Sequence, residues 1–331
     1  MNSIRKEAVR IYFVFVFGLP IILGIFIWIA YANGIDTSIF PSTWMYLPAC
    51  GVMIAMLLTK KDREHPLPTV FYCTFSAVTI IMVILCVVSV IVPQTNLAIL
   101  SNVLVILSCP ICLVEIICMK KEKRGTYGLS FVHNLKRSVM GIVTFLGLYF
   151  TVCLLSFIFE SLLLGKAGEY TLNQNALIYV AVMPLNFLLS FTAFFGEEYG
   201  WRYFLQPVMQ RKFGLRKGVI VLGLLWGIWH LPLNLFYYSP QTSLQSILVQ
   251  LAGCVGMGIF FGWVYMRTHN IWAVAIMHFI NNNVGAVLFA ASPSDVVWEW
   301  RSTLIGICIY LIVYLPFLLT KEYRASRENK E

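Results

Sequence analysis

Residues 176–206, ALIYVAVMPLNFLLSFTAFFGEEYGWRYFLQ, run for 21 residues without a charge before Glu197. A stretch that long and that apolar can cross a hydrocarbon core of about 30 Å as a helix. It lacks the two-residue alternation of a barrel strand, so the helix is the way it satisfies its backbone in lipid. Having crossed, it carries Glu197, Glu198 and Arg202, three charges in a place where each costs about 2.5–3.5 kcal/mol on insertion scales. The run therefore sets the fold as a membrane fold and marks where to look for function.

Comparable runs recur along the chain. Spans are expected at about 11–32, 43–59, 69–92, 97–119, 139–163, 176–206, 218–237, 244–266, 271–291 and 302–320. With 331 residues, 59% of them apolar and 12% charged, the chain cannot form the charged surface a soluble domain needs. The fold class is all-α: a polytopic integral membrane helix bundle of about ten transmembrane helices. The first run is too long for a signal peptide and lacks a small-residue cleavage site, so it reads as a retained span.

The net charge of +9 encodes orientation and gives no reason to expect a nucleic acid partner. Alternate loops hold Arg5, Lys6 and Arg10; Lys60, Lys61 and Arg63; Lys120, Lys121, Lys123, Arg124, Lys136 and Arg137; Arg211, Lys212, Arg216 and Lys217; Arg267; and Lys321, Arg324, Arg327 and Lys330. The opposite loops hold only Lys166 and Arg301. The positive-inside rule then puts both termini in the cytoplasm. The nine cysteines fall almost entirely within apolar runs, where cysteine acts as a small hydrophobe. The Cys109-x-x-Cys112 pair has no second pair or histidine at zinc-site spacing.

The longest polar insertion, Lys120 to Arg137, divides the chain into a four-span region, 1–137, and a six-span region, 138–331, that holds most intramembrane polar residues. The first four spans read as lipid-facing or packing helices. Glu115 is about one turn from Lys120 and Lys121 and can snorkel, and Glu160 is near the outer end of its span.

The candidates that snorkelling does not explain lie in the second region. Glu198 and Arg202 are an i, i+4 pair and can neutralise each other. Glu197 points about 100° away around the helix, free to face a polar cavity. His230 follows Trp226 by four residues on the next span, and Asn282 follows His278 by four on the ninth. Counted from the basic loops, all of these can share one layer in the cytoplasmic half of the membrane. A carboxylate and an imidazole converging on one water form a general base, and a second imidazole with an amide can support an oxyanion. The set Glu197, His230 and His278 equally matches catalytic zinc ligation, so zinc stays open as a cofactor. A proton-coupled transporter and a non-catalytic immunity or interaction protein are the competing readings. The first is disfavoured because the polar residues cluster at one depth. Pro184, Pro207 and Pro232 are candidate kink positions.

In order and spacing these residues resemble the CPBP (CAAX protease and bacteriocin-processing, or Abi) family of intramembrane proteases, whose pattern is EExxxR, then FxxxH, then HxxxN. Glu197, Glu198 and Arg202 match the first motif, and His278 with Asn282 the third. In the second, Trp226 stands where the family has phenylalanine, a change expected to affect packing more than chemistry. The resemblance covers roughly residues 175–290. It implies an endopeptidase, metallo- or glutamate-type, acting on a membrane-associated or lipidated protein or peptide, in CAAX-type processing or in bacteriocin maturation or immunity. Glu197 and His230 would hold the attacking water, His278 and Asn282 the oxyanion, with Arg202 and Trp226 supporting and Glu198 supporting or catalytic. The setting expected is the lipid bilayer of a bacterial plasma membrane.

Overall fold

In a computed structural model the chain is described over residues 6–59, 65–165 and 172–324, and the expected apolar runs are helices throughout. Of the basic residues used to orient it, Arg5, Lys60, Lys61, Arg63, Lys166, Arg327 and Lys330 lie outside those residues. The first region comprises α1 (Lys6–Ala32), α2 (Ile39–Leu58), α3 (Thr69–Ile91), α4 (Leu97–Cys118) and the short α5 (Lys121–Thr126). The second opens with α6 (Leu135–Leu164) and α7 (Ala176–Glu198). From α7 the chain runs without a break through a π-helical segment, Tyr199–Leu205, into α8 (Gln206–Phe213). After α9 (Leu215–Trp229) come α10 (Leu231–Leu233) and a second π-helical turn, Asn234–Tyr238. Then follow α11 (Ser243–Thr268), α12 (Ile271–Phe289), α13 (Trp300–Tyr314) and α14 (Lys321–Arg324). Among the described residues nine helices are long and apolar enough to cross a membrane, and ten if the pair Leu215–Trp229 and Leu231–Tyr238, bent by 41°, is one span.

That bend has a local cause. Pro232 cannot donate to the carbonyl four residues back, and α9 stops at Trp229, with His230 at φ −81°, ψ 0° as its cap. Pro184 sits within an unbroken α7, and Pro207 lies where the π-helical segment passes into α8.

One apolar core runs through both regions, across the polar insertion, from Tyr12 and Trp44 to Phe260 and Tyr314. Within it α2 is far from peripheral: most of its residues are buried, and it lies directly against the charged stretch of the α7–α8 span. Gly200 makes this possible, because a Cβ there would stand 2.9 Å from Pro48 Cα and 2.8 Å from its carbonyl carbon. Gly223 does the same for α9 against α11, where a Cβ would meet Val255 Cα at 2.6 Å and Cys254 O at 2.9 Å. Small residues at such crossings let helices approach where lipid gives no hydrophobic drive to associate. The outer face of α6 and the first half of α7 are exposed and apolar, as lipid contact requires.

Glu115 is held differently from the snorkelling expected. Thr74 Oγ1 donates to its Oε1 at 2.6 Å across α3 and α4.

Candidate active site

Four chain segments converge on one buried cluster. The end of α7 supplies Glu197 and Glu198, the π-helical segment Arg202, α9 with its cap Trp226 and His230, and α12 His278. All six side chains are buried, Glu198 and Arg202 completely. The π-helical geometry begins at the residue after Glu198. Such segments are rare and recur at functional sites. A second one starts four residues after His230.

α12 is fixed at its start by Asn270, whose Oδ1 accepts from Trp272 N at 3.0 Å, while its Nδ2 donates to His133 O at 2.9 Å and to Phe131 O at 3.1 Å. The polar insertion thus anchors the helix that presents His278 two turns further on. On α9, Trp229 Nε1 donates to Val16 O at 3.0 Å, and Trp44 Nε1 donates to Trp229 O at 3.3 Å. The first two helices therefore hold the end of α9 that bears His230.

Glu198 is the hub of the charges. His278 Nδ1 donates to its Oε1 at 2.7 Å. Arg202 Nη1 lies 3.0 Å from Oε2 and donates to Oε1 at 3.2 Å. The nearer oxygen shares the ion pair but is off the N–H direction, since Oε2 counts among the buried atoms without a hydrogen-bond partner. The guanidinium also stacks 4.3 Å from the Trp226 ring and 5.1 Å from the Phe261 ring, where the ring faces attract it. The expected Glu198–Arg202 pairing is present, with His278 as a third member.

Glu197 turns the other way and meets two indoles. Trp226 Nε1 donates to its Oε2 at 2.7 Å, and Trp201 Nε1 reaches the same oxygen at 3.4 Å. The expected role of Trp226 as packing is thus incomplete: its face carries Arg202 and its edge holds Glu197. Phenylalanine could do only the first. The Trp226 ring centre is 5.5 Å from that of His278 and 6.1 Å from that of His230, and both imidazoles stand within electrostatic reach of the carboxylate that it fixes. His230 Nδ1 bonds Trp226 O at 2.8 Å. A carbonyl only accepts, so Nδ1 carries the proton and Nε2 is left as an acceptor.

Asn282 is not drawn into the cluster. It is exposed one turn beyond His278, its Oδ1 accepting from Asn281 Nδ2 at 3.0 Å. Nor do the carboxylates and imidazoles close around a point. Among the described residues no three His, Cys, Asp or Glu side chains form a group that could hold a metal ion. As placed, these side chains do not form a zinc shell, although the engaged Nδ1 atoms leave each Nε2 oriented as in ligating histidines.

The indole donors escaped sequence reasoning, although one was signalled: Trp201 lies four residues after Glu197, at the same spacing that pairs Glu198 with Arg202. The support from α1 and α2 had no signal, because no polar spacing marks a backbone carbonyl as an acceptor.

What the fold and cluster define is a helical membrane protein with a buried Glu/His centre, and comparison with known proteins agrees. Residues 179–284, which include every residue of the site, match the sequence model of a family described as Type II CAAX prenyl endopeptidase Rce1-like, bearing out the resemblance carried by the three motifs. The chain is also similar to CAAX prenyl protease 2 of Methanococcus maripaludis, with 30% identity over 137 residues, 40% of this chain. It spans about half the length of that curated relative, 50%. No solved structure matches.

Proposed function

We propose that the chain is an intramembrane endopeptidase that hydrolyses a peptide bond near the C-terminus of a prenylated, membrane-associated protein. The observation that carries this reading is the fixed Glu197: a buried carboxylate held through Oε2 by an indole, beside two imidazoles whose Nδ1 atoms are engaged, with no bond among the described residues to Glu197 Oε1 or to either Nε2. The match to the Rce1-like family and the printed name of the similar protein favour a prenylated substrate over a bacteriocin precursor.

In this mechanism Glu197 Oε1 takes a proton from water as the water oxygen attacks the scissile carbonyl carbon, and His230 Nε2 accepts from the same water to orient it. The new C–O bond leaves charge on the carbonyl oxygen, which His278 Nε2–H stabilises when that ring is doubly protonated, with Glu198 as its counter-ion. Collapse breaks the C–N bond, and the proton on Glu197 passes to the leaving nitrogen. No step uses a metal, and chelator is expected to leave the rate unchanged. Glu197 lies fourteen residues before Arg211, about 20 Å along the span. This depth suits a scissile bond drawn in from the basic side, the cytoplasmic side in this reading.

The test is cleavage by the purified protein in lipid nanodiscs of a peptide ending in a farnesylated CAAX sequence, beside the same peptide without the lipid. Release of the terminal tripeptide from the lipidated peptide alone is expected. Equal cutting of both, or of neither, would remove the prenyl specificity from the reading. Within the site, Trp226→Phe keeps the ring face and deletes the N–H. A hydrogen bond to a charged group contributes about 1.5–3 kcal/mol, so kcat should fall about ten- to hundredfold if that bond aligns the base. KM should stay close to that of the wild type, and a kcat within twofold of it would reduce Trp226 to packing.

A further inference from the structure

From the catalytic layer the α7–α8 span carries a line of polar side chains of which the proposed mechanism uses only the first. Glu198, Arg202, Gln206 and Gln210 recur every four residues, all buried, the first three almost completely. Gln206 Nε2 donates to Gly262 O at 3.2 Å and lies 3.5 Å from Gln210 Oε1. Gln210 Nε2 donates to Leu215 O at 3.4 Å. Leu215, with Tyr323, Arg216, Lys217 and Arg324, lines a cavity of about 510 Å³ at the basic rim.

The line is under-satisfied by protein. Among the described residues nine buried side-chain oxygen or nitrogen atoms have no hydrogen-bond partner, and five of them are Glu198 Oε2, Arg202 Nε, Arg202 Nη2, Gln206 Oε1 and Tyr12 Oη. Tyr12, fully buried on α1, stands within electrostatic reach of both Arg202 and Glu197. Each such atom costs about 1–3 kcal/mol if nothing bonds it, and buried groups of this kind are normally met by ordered water with two to four polar partners. At Gly262 a Cβ would stand 3.2 Å from Gln206 Oε1 and 2.8 Å from Tyr323 Oη, so any larger residue would crowd the line at its middle.

We infer that this face holds a file of buried water running from the cavity at the basic rim, past Gln210, Gln206 and Arg202, to the catalytic carboxylates, and that it supplies the water consumed in hydrolysis. The inference rests on the hydrolytic reading for its purpose but not for its existence. A site walled by apolar helices and lipid needs such a route, because each turnover removes one water from a compartment that the bilayer does not replenish.

Two readouts separate these parts. X-ray hydroxyl-radical footprinting of the full chain in nanodiscs labels side chains that touch bound water; Tyr12, with no exposed surface, should be labelled in the wild type and fall to background in Gln206→Met. An unlabelled Tyr12, or equal labelling in the variant, overturns the file whether or not the protein cleaves anything. In cleavage assays Gln206→Met and Gln210→Met should lower kcat about tenfold with KM within about twofold. If labelling is lost but kcat holds, the water is structural and the supply role is overturned. If the wild type cuts no substrate, the proteolytic reading fails while the labelling still decides the file. Gln210→Met, nearer the rim, guards against a folding defect in Gln206→Met.

Discussion

Glu197→Gln is expected to lower kcat by about 10²–10⁴-fold, the usual contribution of a general base, with the fold intact. The amide oxygen of glutamine can still accept from Trp226 Nε1, which lies 2.7 Å from the native carboxylate, so the packing and the indole bond survive while the ability to take a proton from water does not. KM should change little, because the loss falls on the transition state alone. Steady-state cleavage with purified variants measures it. A Glu197→Gln protein that retains more than about a tenth of wild-type kcat would place the base elsewhere.

The second large effect is on stability. Glu198→Leu removes the partner of a guanidinium and of an imidazole N–H that are both buried. Breaking one side of a buried ion pair costs about 3–5 kcal/mol, because the remaining charge is left uncompensated. Among the described residues Arg202 would keep its stacking on Trp226 and Phe261 and no anionic partner. The double variant Glu198→Leu with Arg202→Met removes both charges and should regain most of that loss, as apolar replacement of whole buried pairs often does. Unfolding of the four proteins of this cycle in one detergent gives the coupling directly. A single-variant cost under about 1 kcal/mol would mean that the carboxylate does not hold the arginine. Both variants should also cleave poorly, since His278 loses the acceptor that orients it.

The sequence-level reading succeeded where one physical rule dominates. Hydrophobic length located the spans, and the described helices coincide with all ten when the broken pair is counted as one. The i, i+4 step alone pairs Glu198 with Arg202, and the two are paired in the structure. It missed where several rules compete. The π-helical segment after Glu198 has no sequence periodicity of its own. Whether Glu197 would face a cavity or an indole depended on how closely α9 approaches α7, which no spacing along one helix encodes. Asn282 lies at the right spacing from His278, yet its side chain is on an exposed part of α12. The contribution of α1 and α2 was legible only as apolar runs, since what they give the site is close backbone approach at Gly200 and backbone carbonyls.

The central claim is that Glu197 activates water for attack on a peptide bond inside the membrane. It is tested most directly by incubating the farnesylated CAAX peptide with the nanodisc-embedded protein in H₂¹⁸O and weighing the products. Wild type should place one ¹⁸O in the new carboxylate at a single bond, and Glu197→Gln, equally folded, should form that product at least about a hundredfold more slowly. Labelled product from both proteins at equal rates would contradict the claim.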